Sequence, residues 1–200
     1  MAYPYLCSTL PVDNIFAFIL LAMSHRKLTV LELNRLSPEA YREARKLPLV
    51  VVLDDVRSVH NVGSVFRTAD AFRIGCIFLC GITAVPPSAE MHKTALGAEF
   101  TVKWTYYQST MDAVQALKTE GYTVFSVEQT EGSTMLQEAY FKSDSKYAIV
   151  LGNEVKGVNQ EVIDISDGCL EIPQQGTKHS LNVSVAAGVV LWEIFRQIGL

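Results

Sequence analysis

The chain has 200 residues, 49% of them hydrophobic and 19% charged, with 17 Lys and Arg against 21 Asp and Glu for a formal net charge of −4. That balance excludes disorder and fibrous structure, and a chain of this size buries roughly 70% of its unfolded surface without needing disulfides or a structural metal. The acidic surplus argues against indiscriminate coating of nucleic acid, which rests on many Lys and Arg contacts to phosphates, but it leaves room for one shaped site for one RNA.

In chain order, the first 22 residues hold no Lys or Arg and a single acid, Asp13, and they run into the apolar stretch 15–22. This run falls far short of the ~20 residues that cross a bilayer, so no membrane span is expected. A secretory signal wants a positively charged start, whereas His25 and Arg26 come only after the apolar run. Residues 1–22 are read as an appended or mispredicted segment, with Met23 as the natural start and a cytoplasmic location. An export signal, or a segment that binds a partner or lies on a membrane, is the alternative. Residues 23–47 read as a short helical extension, with Leu28, Leu31, Leu33 and Leu36 leading to Ser37, which can cap a second helix carrying Pro38 in its first turn. Arg42, Arg45 and Lys46 on that helix are either a solvated face or an arm that touches phosphates.

From Pro48 onward short apolar runs alternate with amphipathic stretches. Strands are expected at 49–53, 76–80, 122–127, 147–151 and 169–172, with a weaker candidate at 101–104. Several are continuously apolar, as in a parallel sheet covered on both faces. Helices are expected at 61–72, 89–96, 111–118, 160–165 and 183–198. The alternation predicts one α/β domain over 48–200, a mostly parallel sheet flanked by helices. The four cysteines, Cys7, Cys76, Cys80 and Cys169, are too few and too irregularly spaced for a disulfide framework or a zinc module, so no metal is expected. Cys76 and Cys80 share one strand face and read as core.

Three segments do not look like scaffolding. In 53–70 a strand ends in Asp54 and Asp55, a turn follows, and a helix opens at Asn61. Val62, Val65, Phe66 and Ala69 form its buried stripe, and at about 100° per residue Arg67 points roughly 140° away from Val62. Arg67 therefore faces outward near the strand's carboxyl edge, where open α/β sheets bind ligands, unless it only pairs with Asp70 one turn on. In 149–158 a buried strand exits into a turn holding Gly152, Glu154 and Gly157, and glycines there let a ligand approach the main chain. The spacing is that of neither a Walker loop nor a dinucleotide fingerprint. In 170–188 a short strand ends at Pro173, a polar loop carries Gly176, Lys178 and His179, and Ser180 to Asn182 open the last helix. Helix capping accounts for one of Ser180 and Asn182, not for both.

Together the Asn61/Arg67 segment, the Leu-Gly-Asn-Glu-Val-Lys-Gly segment and the Ile-Pro…Ser-Leu-Asn-Val-Ser segment resemble the three motifs of the SpoU (TrmH) family of RNA 2′-O-ribose methyltransferases, in the SPOUT superfamily. The resemblance covers about 48–200, in the right order and spacing, with no departure at the polar positions. It implies a C-terminal trefoil knot, which no topology rule would have predicted. It implies S-adenosyl-L-methionine as cofactor, held mostly by backbone around Gly152, Ile172 and Leu181, with Val127 contributing and Ser180 close by. It implies a homodimer whose site both subunits complete; the last helix, apolar through Val189, Val190, Leu191, Ile194, Phe195 and Ile198, is a candidate interface or else a core helix.

The reaction so implied is attack of a ribose 2′-hydroxyl on the sulfonium methyl, with tRNA or rRNA as substrate. The family's arginine, here Arg67, is commonly discussed as the base, yet a guanidinium with a pKa above ~12 is effectively never neutral. Arg67 is better read as an electrostatic activator or phosphate clamp. Asn61 would orient Arg67 or the backbone beside it, Glu154 would fix the cofactor loop or pair with Arg67, and Ser180 and Asn182 would order the knot and bond the target nucleotide. The short N-terminal extension, in place of a separate RNA-binding domain, tilts the expectation toward tRNA. The alternatives are a non-catalytic protein of the same fold that binds cofactor and RNA, and, more distantly, a generic nucleotide-binding α/β protein.

Overall fold

A computed structural model describes residues 25–199, in two units that divide between Ser37 and Pro38. Residues 1–22, and with them Cys7 and the reading of an appended segment, lie outside the described residues. Within 25–37 the expected helix is absent and a turn occupies 30–34. Glu32 takes the Thr29 N–H and hydroxyl, both at 2.8 Å, and pairs with Arg26 at 2.7 Å. The Arg26 guanidinium, then the Thr29 bonds, hold its carboxyl down at about 2. The Thr29–Glu32 contact is half of a helix-starting box, and Leu33 N–H reaches the Thr29 carbonyl at 3.3 Å, but Leu28, Leu31, Leu33 and Leu36 are all exposed, so no burial carries the turn on into a helix.

The second unit begins with α1 (Pro38–Glu43), which leads into β1 (Leu47–Asp54). Lys46 does not extend as a free arm: its Nζ lies over the Tyr41 ring at 4.2 Å and donates to the Tyr41 and Ala44 carbonyls. Then follow α2 (Val59–Ala71), β2 (Ile74–Cys80), α3 (Ala89–Ala95), β3 (Trp104–Tyr107), α4 (Thr110–Thr119), β4 (Tyr122–Val127), β5 (Thr134–Met135), β6 (Lys146–Leu151), α5 (Gln160–Ile165), β7 (Gly168–Glu171) and α6 (Val183–Ile198). The strands form one seven-stranded sheet in the order β3-β2-β1-β6-β4-β7-β5, every pairing parallel.

Pleating sorts the two cores. Leu49, Val51 and Leu53 of β1 pack with Val62, Phe66 and Ala69 of α2 and with Val190, Leu191 and Ile194 of α6. Val50 and Val52 point the other way, onto Ala113, Val114 and Leu117 of α4. The period of two along a strand produces this division, and the continuous apolar run LPLVVVLD is what a strand buried on both faces requires. Cys76 and Cys80 lie in the α4-side core, as their spacing predicts, and burial pushes the Cys80 thiol up to about 12.

Two strands depart from expectation. β3 begins at Trp104 rather than ending there, because 98–100 forms a 3-10 turn and the Thr101 hydroxyl donates to Asp70 at 2.9 Å. β5, two residues at the sheet edge, carries no readable period. The last helix divides the expected interface residues: Val190, Leu191, Ile194 and Ile198 are buried in the core, while Val189 is 39% exposed. Val185 at 52% and Trp192 at 53% extend the exposed strip.

Candidate functional site

Because every strand is parallel, the loops after β1, β4, β6 and β7 open at one edge, where the strand carboxyl ends leave a crevice. A cavity of about 590 Å³ lies there, a volume in the range of small-molecule sites. Val127 at the end of β4, Gly152 after β6, Ile172 after β7 and Leu181 before α6 all line it. Glu154, Ser180 and Asn182 line it too, as does His179.

One wall is the turn after β6, which is hydrogen-bonded to itself. Residues 153 and 157 bond to each other in both directions, Asn153 N–H to the Gly157 carbonyl at 3.0 Å and the reverse at 2.9 Å. The Asn153 carboxamide accepts from the N–H groups of Val155 and Lys156 and donates to the Asp55 carbonyl at 2.8 Å. No side chain fits at 152: a Cβ there would lie 2.1 Å from the Gly157 carbonyl carbon and 2.2 Å from the Val158 nitrogen. The glycine lets the two ends of the turn pack backbone to backbone, and the main chain of Gly152 and Gly157 also lines the cavity.

Glu154 closes this turn against α2. Its carboxylate accepts from the N–H groups of Arg57 and Ser58, each at 3.0 Å, and from Asn61 Nδ2 at 2.9 Å. Asn61 Oδ1 in turn accepts from Asn182 Nδ2 at 3.1 Å, and Asn182 Oδ1 caps α6 through Ser184 N–H at 2.9 Å. One hydrogen-bonded chain thus joins all three sequence segments. Partial burial pushes the Glu154 carboxyl up, but the Arg57 N–H, the Asn61 side chain and the Ser58 N–H outweigh it and hold the group below its ordinary value.

The acids that end β1 are structural. Asp54 is buried and accepts from the Thr110 hydroxyl at 2.5 Å and from Asn159 N–H, the cap residue of α5, at 3.0 Å. Asp55 sits at φ 52 and accepts from Ile82 N–H at 2.9 Å, while buried Thr83 joins Val56 N–H to the Leu53 carbonyl. These bonds set the loop that offers the Arg57 and Ser58 amides to Glu154.

Arg67 stands apart. It is exposed on α2, six residues past Asn61 or ~9 Å along the axis, and does not line the cavity. Among the described residues it has no ion pair or hydrogen bond: Asp70, its expected surface partner, is taken by Thr101, and Glu154 by Asn61. Lys178 is exposed and likewise absent from the cavity wall. No group of three or more His, Cys, Asp or Glu side chains able to hold a metal ion occurs among the described residues, and no helix among them is long and apolar enough to cross a membrane.

Comparison with known proteins decides the family. The model of the SpoU rRNA Methylase family matches residues 48–192, most of the chain. The chain belongs to that family. A SpoU relative, the tRNA (guanosine(18)-2′-O)-methyltransferase of Aquifex aeolicus, is 31% identical over 158 residues, covering 78% of this chain and 72% of the relative. The enzyme of the same name from Thermus thermophilus is 31% identical over 169 residues, covering 83% and 84%. Among solved structures, the A. aeolicus TrmH/SpoU tRNA modifying enzyme superposes with a TM-score of 0.70 at 26% identity, covering 80% of this chain and 81% of that one. The AdoMet-bound rRNA methyltransferase of Sinorhizobium meliloti gives 0.71 at 30% identity, covering 81% and 61%. The resemblance drawn from three motifs and the seven-stranded parallel sheet therefore point to the same SpoU fold.

Reading the SpoU motifs alone missed Glu128 and Gln129, which follow β4 and line the cavity, and the tying roles of Asn153, Asp55 and Thr83. One signal was available: polar residues directly after a buried parallel strand stand at the ligand edge.

Proposed function

We propose that this protein is an S-adenosyl-L-methionine-dependent RNA 2′-O-ribose methyltransferase acting in the cytoplasm. The observation that carries the reading is the bonded chain Glu154–Asn61–Asn182 at the rim of a cavity walled by the main chain around Gly152. The cavity fits the cofactor: its volume suits a nucleoside with an amino-acid tail, Val127, Ile172 and Leu181 offer apolar surface to a base, and the turn after β6 offers backbone groups to polar atoms. Bound there, the cofactor supplies an already activated methyl electrophile.

The protein's own part is positioning and charge. Glu154 and Asn61 hold the turn and the start of α2 in register, and Asn182 and Ser180 order the loop before α6 and meet the target nucleotide. Arg67, always charged, draws the 2′-hydroxyl or its neighbouring phosphate and eases loss of the proton without accepting it. The threading of 172–182 as a trefoil knot belongs to the same reading. So does a second copy of the chain seated on the strip Val185, Val189 and Trp192, since α6 packs beside α2, Trp192 touches Phe72 at 6.0 Å between rings, and Arg67 sits away from its own cavity. Arg67 then serves the partner's cavity. tRNA is the favoured substrate, in line with the activity named for the A. aeolicus and T. thermophilus relatives.

The deciding measurement is transfer of tritium from labelled S-adenosylmethionine to tRNA and rRNA, with mass spectrometry of 2′-O-methyl nucleosides from a deletion strain. Ribose methylation of tRNA is the expected outcome. Binding of cofactor and RNA with no transfer would favour the non-catalytic alternative. Mixing Arg67→Ala subunits with Gly152→Ala subunits should restore part of the activity if Arg67 works across the dimer, and none if it works within one subunit.

A further inference from the structure

The two residues directly after β4 each hold a different wall of the cavity. Glu128 follows Val127, and its own N–H donates to the Leu170 carbonyl of β7 at 3.1 Å, so its backbone is fixed to the sheet. Its carboxylate then splits between two amides: Oε2 accepts from Val158 N–H and Oε1 from Gln129 N–H, each at 3.0 Å. Val158 ends the turn after β6, and Glu128 presses on that turn so closely that a Cβ on Gly157, at φ +70, would lie 2.1 Å from Oε2. Gln129 works in the other direction. Its Nε2 donates to the His179 carbonyl at 2.7 Å, in the loop before α6.

We propose that Glu128 and Gln129 form a two-armed latch, Glu128 fixing the turn 152–158 and Gln129 fixing the loop 174–182, so that the cavity is preorganised for the cofactor before it binds. The latch rests on the reading of the cavity given above and adds two positioning residues to it. Both are anchored to β4, the strand between β6 and β7, and can therefore hold loops that leave different parts of the sheet in one spacing. Preorganisation of this kind tightens binding by removing ordering that the ligand would otherwise impose.

The chemistry of the two side chains predicts graded behaviour. A carboxylate accepts at both oxygens, a carboxamide at only one, so Glu128→Gln keeps one of the two amide bonds and Glu128→Ala keeps neither. Gln129→Glu preserves size but removes the donor that reaches His179. Amide exchange on the ligand-free, full-length protein reads each arm without reference to function. Val158 N–H is expected to exchange at least fivefold faster in Glu128→Ala, by less in Glu128→Gln, and at the wild-type rate in Gln129→Glu, while 174–182 loosens only in Gln129→Glu. Calorimetry with S-adenosylmethionine should give a Kd raised about tenfold in Glu128→Ala and in Gln129→Glu and about threefold in Glu128→Gln, from the ordinary worth of one or two hydrogen bonds. In turnover the loss should fall on the cofactor KM more than on kcat. Val158 exchange indifferent to Glu128→Ala overturns the latch, as does faster exchange with cofactor affinity within twofold of wild type. A wild-type protein that does not bind S-adenosylmethionine overturns the function assigned to the cavity instead, and leaves the exchange result to judge the two arms.

Discussion

The beginning and the middle of α2 behave differently. At Asn61 every polar group is engaged: Oδ1 by Asn182, Nδ2 by Glu154, and the backbone N–H by the Ser58 cap at 3.3 Å. Less than two turns later Arg67 reaches into solvent with no partner among the described residues. The first region is finished within one chain and resists change because each group satisfies two others. The second region is unfinished: its charge has no counterpart among the described residues. Placement on one helix gives both a common frame, since the buried stripe Val62, Val65, Phe66 and Ala69 fixes the rotation of the helix about its axis.

Breaking the unfinished region should cost the most activity and the least structure. Arg67→Ala is expected to lower kcat by ~10²–10³-fold in tritium transfer, with cofactor affinity and thermal midpoint unchanged, since the side chain supports nothing in the fold. Full activity in that variant would remove Arg67 from the chemistry. The turn after β6, which Glu154 ties to the finished region, should respond in the opposite sense. Gly152→Ala places a methyl 2.1 Å from backbone at Gly157 and should destabilise the protein by roughly 1–3 kcal/mol in denaturant titration, with loss of measurable cofactor binding.

Asn61→Ala sharpens the contrast at smaller scale. It removes two side-chain bonds at the exposed rim and is expected to reduce kcat/KM about fivefold to tenfold, with a double-mutant cycle against Asn182→Ala showing less than additive loss because the two share one bond. The smallest effect is the pH response of Glu154. Its folded-state pKa is depressed, so its contribution is complete above the ordinary Glu value of about 4.3 and fades as the pH falls toward the depressed value. Exchange of the Arg57 and Ser58 amides should therefore accelerate on acidification in the wild type and be insensitive to pH, beyond the intrinsic rate, in Glu154→Gln.

Much of the fold was legible because its signals are local. β4, α5 and α6 occupy the expected residues, and β1, β2 and β6 differ only at their ends, since continuous apolar runs and 3.6-residue stripes are set by neighbours in the chain. The helix expected over 28–36 failed for the same physical reason read in reverse: a periodic stripe of leucines forms a helix only where something covers it, and here Leu28, Leu31, Leu33 and Leu36 are all exposed. At the site, Gly152, Glu154, Ile172, Ser180, Leu181 and Asn182 were legible as motif positions and Val127 as a strand end, and all line one cavity. Glu128 and Gln129 were not, because a lone polar pair after a strand has no pattern until the loops it holds are placed beside it.

The sequence by itself determined that the chain builds a parallel α/β layer and that three short segments match the motifs of the SpoU family. It did so because burial periodicity and turn residues act over a few positions. Only the tertiary structure decided which polar groups satisfy which. Glu154 meets Asn61 rather than Arg67, Asp70 meets Thr101, and Glu128 meets Val158, across separations of up to 93 residues. Those pairings depend on strand order, with β6 inserted between β1 and β4, and strand order is a property of the whole core rather than of any segment within it.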